Sequence, residues 1–192
     1  MKEELKELFQ KFPTLNEDEV NAIADNITVK SFKKGKVLLS EGSISKECYS
    51  VLKGCVRKYC IKNGEEKTTA FFTEGQAIAS FTSYINQTPS NHYLVCAENC
   101  LLTVGTKEKE DEMCLKFPKL ESIIRSEMEK NSGAFQEEYD SFITSSPEER
   151  YSNLIETRPE LINRVPQHQI ASYLGVTPES LSRIKKRIFL NR

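Results

Sequence analysis

The spacing of apolar residues changes twice along the chain. Over residues 2–12, Leu5, Leu8, Phe9 and Phe12 share one side of a helix that Pro13 stops. A second helix is predicted from Asn16, where Asn16 and Glu19 can form a capping box and Leu15 with Val20 a hydrophobic staple. Val20, Ile23, Ala24 and Ile27 give it a buried stripe. From Ile27 to about Thr106 the helical period gives way to short β-rich runs: ITVKSF, VLLSE, CYSVLKG, CVRKYCIK, KTTAFF, HYLVCAE and NCLLTV. Turn signals such as KKGK, GS, NGEE and TEGQ separate them, and Lys62-Asn63-Gly64-Glu65 reads as a hairpin with Asn-Gly at its centre. In CVRKYCI, Cys55, Arg57, Tyr59 and Ile61 alternate with Val56, Lys58 and Cys60, as in a strand partly exposed on one face. Many short strands at this spacing imply a small antiparallel barrel or roll. Gln76–Gln87 interrupts them as a short helix or loop excursion.

After Lys107 the helical period returns. Asp111 is predicted to cap a short helix, EMCLKF, which Pro118 ends. Residues 119–145 lack proline and carry Leu120, Ile124, Met128, Phe135, Tyr139 and Phe142 at three, four or seven apart. A helix of that length spans about 40 Å. Its apolar residues lie on more than one side, which favours a seam against a second copy over a simple core helix. Gly133 weakens its middle slightly. At Ser145-Ser146-Pro147-Glu148-Glu149, Ser146, Pro147 and Glu149 spell a helix cap, first turn and capping box. That helix runs to about Thr157, and Arg158-Pro159 breaks it. The expected division is a β-roll sensory domain over 1–110, a long dimerisation helix over 111–145, and a third domain over 146–192.

The stretch PQHQIASYLGVTPESLSRIKKR, Pro166–Arg187, reads as a helix-turn-helix. Ile170, Leu174, Val176, Leu181 and Ile184 turn one stripe inward in each half. Ala171 stands where two helices must cross closely. Gly175 lets the first helix end and the chain reverse. Thr177 is a good N-cap and Pro178 a good first helical residue. In the second helix, Glu179, Ser182 and Arg183 stand at i, i+3 and i+4 and so share a face. Arg can bond guanine O6 and N7 together, Glu can accept from cytosine N4, and Ser can reach several base edges. Lys185, Lys186 and Arg187 suit phosphates, with Thr177 and Ser180 beside them at the helix start.

Composition changes this picture little. The 192 residues carry a net charge of −1, yet from Arg183 onward Arg183, Lys185, Lys186, Arg187 and Arg192 meet no acid. Phosphates feel local charge, within a Debye length of about 8 Å. No run approaches the ~18 apolar residues of a membrane span, and MKEELKELF lacks the apolar core of a signal peptide. A cytosolic protein with reduced thiols is expected. The six cysteines, Cys48, Cys55, Cys60, Cys96, Cys100 and Cys114, include no C-x-x-C pair and are read as small buried residues, with no metal and no cofactor expected.

A β-roll after two helices, then a long helix and a C-terminal helix-turn-helix, resembles the Crp/Fnr family of bacterial transcription regulators. The resemblance covers nearly the whole chain. Its sharpest part is PESLSR, Pro178–Arg183, where Glu179, Ser182 and Arg183 match the E-x-x-S-R of the Fnr branch. The segment GSISKECYSVLKGCVRKYCIKNGEEKTTAFFTEGQAIAS matches the family pattern around Gly42, Gly54 and Gly75. The resemblance implies an α+β fold: an antiparallel β-roll (a double-stranded β-helix, cupin-like) with flanking helices, and a winged-helix-type helix-turn-helix whose wing is short or absent. It implies a homodimer reading a TGA-like half-site, with Arg183 on the guanine and Glu179 on the paired cytosine, and RNA polymerase as a further partner.

The effector pocket departs from the family. Ala79-Ser80 stands where cyclic-nucleotide binders have Gly-Glu after a Gly like Gly75, and Asn91-His92 stands near their Arg-Ser pair. No Arg occurs between Arg57 and Arg125. A buried phosphate without a cationic partner is costly, so cyclic AMP is not an expected ligand and any small-molecule effector is of unknown kind. The Fnr iron–sulfur cluster needs cysteines near the N-terminus, whereas the first here is Cys48. His92, the one roll histidine, is read as a strand residue rather than a haem ligand. The rival function is a ligand-binding roll whose helix-turn-helix serves protein interaction. Catalysis is not expected: there is no nucleophile elbow, P-loop, paired metal ligand set or Ser-His-Asp grouping, and His92 and His168 are the only histidines.

Overall fold

The computed structural model describes residues 2–190. Two helices open the chain, α1 (Lys2–Gln10) and α2 (Glu17–Asn26). Asn16 caps α2 through the capping box expected from its sequence: the Glu19 amide donates to Asn16 Oδ1 at 2.8 Å, and the Asn16 amide donates to Glu19 Oε2 at 2.9 Å.

Eight strands follow: β1 (Thr28–Phe32), β2 (Val37–Leu39), β3 (Cys48–Lys53), β4 (Val56–Lys62), β5 (Glu65–Phe72), β6 (Ala77–Ile78), β7 (Tyr93–Cys96) and β8 (Cys100–Gly105). A short helix, α3 (Phe81–Asn86), interrupts them where an excursion was expected. The strands form two four-stranded sheets, in the orders β1-β8-β3-β6 and β2-β7-β4-β5. The first sheet is antiparallel at each recorded pairing, with Thr28 opposite Val104 and Tyr49 opposite both Val104 and Ile78. Asn63 and Gly64 both take positive φ, 53° and 79°, as the two central residues of a type I′ hairpin must. Leu39, Tyr49, Val51, Val56, Ile78, Leu94, Cys96, Cys100, Leu102 and Val104 fill the core of the roll. These are the alternating positions of strands that face one another across two sheets.

Four helical elements carry the chain to its last two helices: α4 (Lys107–Lys116), α5 (Pro118–Thr144), α6 (Pro147–Thr157) and the one-turn α7 (Leu161–Arg164). The cap of α4 differs from expectation. Thr106, not Asp111, accepts from the Lys109 amide, at 3.4 Å, and α4 begins five residues earlier than predicted. Thr106 leaves β8 extended with its hydroxyl already placed, and the acids Glu108 and Glu110 follow in the first turn, where the helix dipole favours them. Asp111 instead pairs with Lys107 Nζ at 2.8 Å.

The chain divides into two compact units, residues 1–58 with 71–130, and residues 59–70 with 131–192. In the first, Leu5, Phe9, Val20, Ile23, Ala24 and Leu120 form a second core cluster, with Ile124 packed against it. In the second, the hairpin of β4 and β5 accompanies the C-terminal helices, α8 (Gln167–Tyr173) and α9 (Pro178–Leu190). Ser172 joins them: its hydroxyl accepts from the Thr68 amide at 2.9 Å and donates to the Glu66 carbonyl at 3.2 Å.

Candidate nucleic-acid interface

Two local devices place the last helix. Gly175, at φ 71°, ends α8. Its amide donates to Ser172 O at 3.1 Å and the next amide, of Val176, reaches back to Ala171 O at 2.9 Å. This is the paired bonding of a Schellman motif, and it satisfies carbonyls that the end of a helix leaves open. Thr177 then caps α9, its hydroxyl accepting from the Ser180 amide at 3.2 Å. Ile170, Ala171, Leu174, Leu181 and Ile184 are all buried, with Tyr151, Leu154, Leu161 and Val165 from the preceding helices. Ala171, fully buried between helices, leaves the close crossing its size allows.

With Leu181 and Ile184 inward, the opposite face of α9 is open. Glu179, Ser182 and Arg183 are all exposed on it. The Glu179 carboxyl is held below its ordinary range by its own backbone amide, by the Thr177 hydroxyl, and by the charge of Arg183. A carboxylate acceptor, a hydroxyl and a guanidinium fork therefore stand together near the start of a capped helix. That set can read donor and acceptor patterns in a major groove.

The predicted phosphate contacts fall into different circumstances. The Thr177 hydroxyl also donates to Ser180 Oγ at 3.2 Å. Lys185 Nζ donates to Gln167 Oε1 at 3.0 Å, tying α9 to α8. Lys186 is exposed. Arg187 pairs with Glu148 of α6. Arg192 lies outside the described residues.

In the roll, Gly75 donates its amide to Val51 O at 2.8 Å, Ala79 is half-buried, and Asn91 is exposed. Ser80 and Ser90 are buried with their hydroxyls 3.4 Å apart, and the Ser90 hydroxyl donates to His92 O at 2.9 Å. His92 is 8% exposed, its Nδ1 lies 2.9 Å from Asn91 Oδ1, and burial followed by the charge of Lys58 pushes its pKa down to about 4. The imidazole is thus neutral at physiological pH. The sequence reading missed Arg57, which is 6% exposed on β4. Alternation placed it with half-exposed Tyr59, but both Val56 and Arg57 are buried where β4 begins.

Along α5, Leu120 and Ile124 pack within their own chain against α1 and α2. Met128, Phe135 and Tyr139 are exposed, the latter two at 68% and 57% with stacked rings, 6.5 Å between centroids. Phe142 lies under the Arg150 guanidinium at 4.0 Å, a contact no spacing rule could announce. Among the described residues no helix is long and apolar enough to cross a membrane, and no group of three or more His, Cys, Asp or Glu is placed to hold a metal ion.

This two-sheet roll, followed by a long helix and further helices, defines a class. Residues 29–117 match the cyclic nucleotide-binding domain family, and the chain has the fold of the Crp/Fnr regulators. It is similar to the catabolite activator protein of Thermus thermophilus, at 19% identity and a TM-score of 0.56, over 96% of this chain and 87% of that one. It is similar to CooA of Carboxydothermus hydrogenoformans, at 13% identity and a TM-score of 0.68, over 95% and 83%. The c-di-GMP-responsive global regulator CLP of Xanthomonas campestris matches at 14% identity and a TM-score of 0.68, over 87% and 88%. Among curated protein sequences none matches the chain.

Proposed function

We propose that this protein is a homodimeric, sequence-specific DNA-binding transcription regulator of the Crp/Fnr type, acting in the cytoplasm and without catalytic activity. The observation that carries the reading is the outward face of α9: Glu179, Ser182 and Arg183 exposed together while Leu181 and Ile184 are buried behind them. Arg183 reads the guanine and Glu179 the cytosine of a TGA-like half-site. Lys186, Lys185 and Arg187, with Thr177 and Ser180, fix the register on phosphates. The exposed Met128, Phe135 and Tyr139 of α5 form the seam with a second copy, which delivers two recognition helices to half-sites about 34 Å apart. RNA polymerase is the partner such a dimer would recruit or obstruct.

The roll is the regulatory body, and its ligand is not cyclic AMP. By the resemblance, Ser80 stands in place of the ribose-binding carboxylate and Asn91-His92 near the phosphate-binding pair, and the Ser80 hydroxyl lies 3.4 Å from that of Ser90 rather than beside a cation. Isothermal titration with micromolar cyclic AMP binding would overturn this part. Selection from a random duplex pool tests the whole: a palindrome with TGA-like half-sites is expected, and failure to enrich any sequence would leave the helix-turn-helix as a protein-interaction element.

A further inference from the structure

We propose that Arg150 is a positioning residue for the recognition helix, and that it sets which half-site spacing the dimer accepts. The inference rests on the DNA-binding reading above. Three elements meet at this one side chain. Arg150 lies in the first turn of α6, yet its Nε donates to Ser145 O at 3.1 Å, just past the end of α5. Its Nη1 donates to Leu174 O at 3.0 Å, the cap of α8 inside the helix-turn-helix. Its Cζ lies over the Phe142 ring, 4.0 Å from the ring centroid, in the last turn of α5. Both accepting carbonyls stand at helix C-termini, where acceptors are unsatisfied and the dipole is negative, so one cation answers two helix ends.

The fit is close where the turn meets Arg150 and Phe142. A Cβ on Gly175 would come within 3.3 Å of Arg150 Nη1 and 3.4 Å of Phe142 Cζ, so the turn of the helix-turn-helix rests directly on this joint. One turn earlier on the same face of α5, Glu138 pairs with the Tyr173 hydroxyl of α8. Arg150 adds a planar tie between the two helices: Nη1 holds the end of α8, while Nε and the ring contact hold the end of α5. Lysine cannot replace it, because an ammonium has no planar fork and does not stack in the same way. In a two-fold dimer, α5 carries the symmetry axis, so the angle between α5 and α9 fixes the distance and twist between the two recognition helices.

The test compares the full-length protein with Arg150→Met, which keeps the stem without donors, and Arg150→Lys, which keeps the charge without the fork. The probes are duplexes carrying the selected palindrome at its selected spacing, and with one or two base pairs inserted or removed. The unaltered protein should prefer the selected spacing by at least about tenfold. Both variants should lose most of that preference while keeping their discrimination between matched and mismatched half-sites. A uniform loss of affinity on all duplexes, with the spacing preference intact, would mean that Arg150 merely stabilises the fold and would overturn the proposal. Spin labels incorporated without cysteine at Glu137 and Lys186, both exposed, give a DNA-free arm: a narrow distance distribution should broaden in both variants, and an unchanged one would also overturn it. If the unaltered protein selects no DNA sequence, the regulator reading fails; the spin-label arm separates that failure from failure of the joint.

Discussion

Replacing Gly175 by alanine probes the turn that joins α8 to α9. At φ 71° this residue occupies the left-handed region. Placing an L-side chain there costs about 1–2 kcal/mol, because Cβ crowds the following carbonyl. Alanine also reduces the freedom of the unfolded chain, which offsets about 0.4–1 kcal/mol. The new methyl would stand 3.3 Å from Nη1 of the Arg150 guanidinium, which two carbonyls hold in place, and in ordinary contact with Phe142 Cζ at 3.4 Å. The net loss is on the order of 1 kcal/mol or somewhat more. It should appear as about fivefold faster or greater hydrogen exchange in peptides from α8 and α9. Gly175→Asn serves as the control. Asparagine tolerates the left-handed conformation yet also carries a Cβ, so it should lose less than alanine if backbone conformation dominates and as much if contact dominates. An alanine variant whose α8 and α9 amides exchange no faster than those of the unaltered protein would refute the reasoning.

Four further outcomes are expected, the first three resting on the proposed regulator reading. Arg183→Ala should cost about 1–3 kcal/mol on the selected duplex and little on random DNA, whereas Lys186→Ala should weaken both alike and lower the salt slope by about 1; a gel-shift series in which Arg183→Ala kept its site preference would sink the base-reading assignment. Phe135→Glu should shift the protein to monomer in sedimentation while changing thermal stability of the isolated chain little, since the ring is 68% exposed; an intact dimer would move the seam elsewhere. His92 is neutral in the folded chain with its pKa pushed down to about 4, so the unfolded chain binds the extra proton between that value and its ordinary 6.5. Its contribution is therefore fully present above about pH 6.5 and is lost as pH falls toward 4, by up to about 3 kcal/mol. Urea unfolding across that window should flatten in His92→Gln relative to the unaltered protein, and identical slopes would refute the assignment.

How far the fold could be read in advance depended on the range of the interactions involved. The Asn16 and Ser146 capping boxes, the Asn63-Gly64 hairpin, the Gly175 turn and the Thr177 cap all join residues within five positions of one another, and spacing alone announced them. The outward set of Glu179, Ser182 and Arg183 was legible for the same reason: once Leu181 and Ile184 are inward, helical geometry leaves those three outside. Thr106 displaced Asp111 as the cap of α4 because the local signals there were degenerate, and the end of β8 chose between them.

Other features belong to pairings that no local rule contains. Arg57 is buried on a strand whose alternation grouped it with half-exposed Tyr59, because its surroundings come from the folded sheet. Leu120 went to the N-terminal helices, about a hundred positions away, although its spacing matched the exposed residues of α5. Arg150 reaches 24 positions to Leu174, and Ser172 reaches 104 and 106 positions to the hairpin. A chain's local preferences specify which face of an element is apolar and where that element stops. Which partner covers the face is settled only when distant segments close on one another, since the desolvation and hydrogen bonding that select the partner do not exist until both are present.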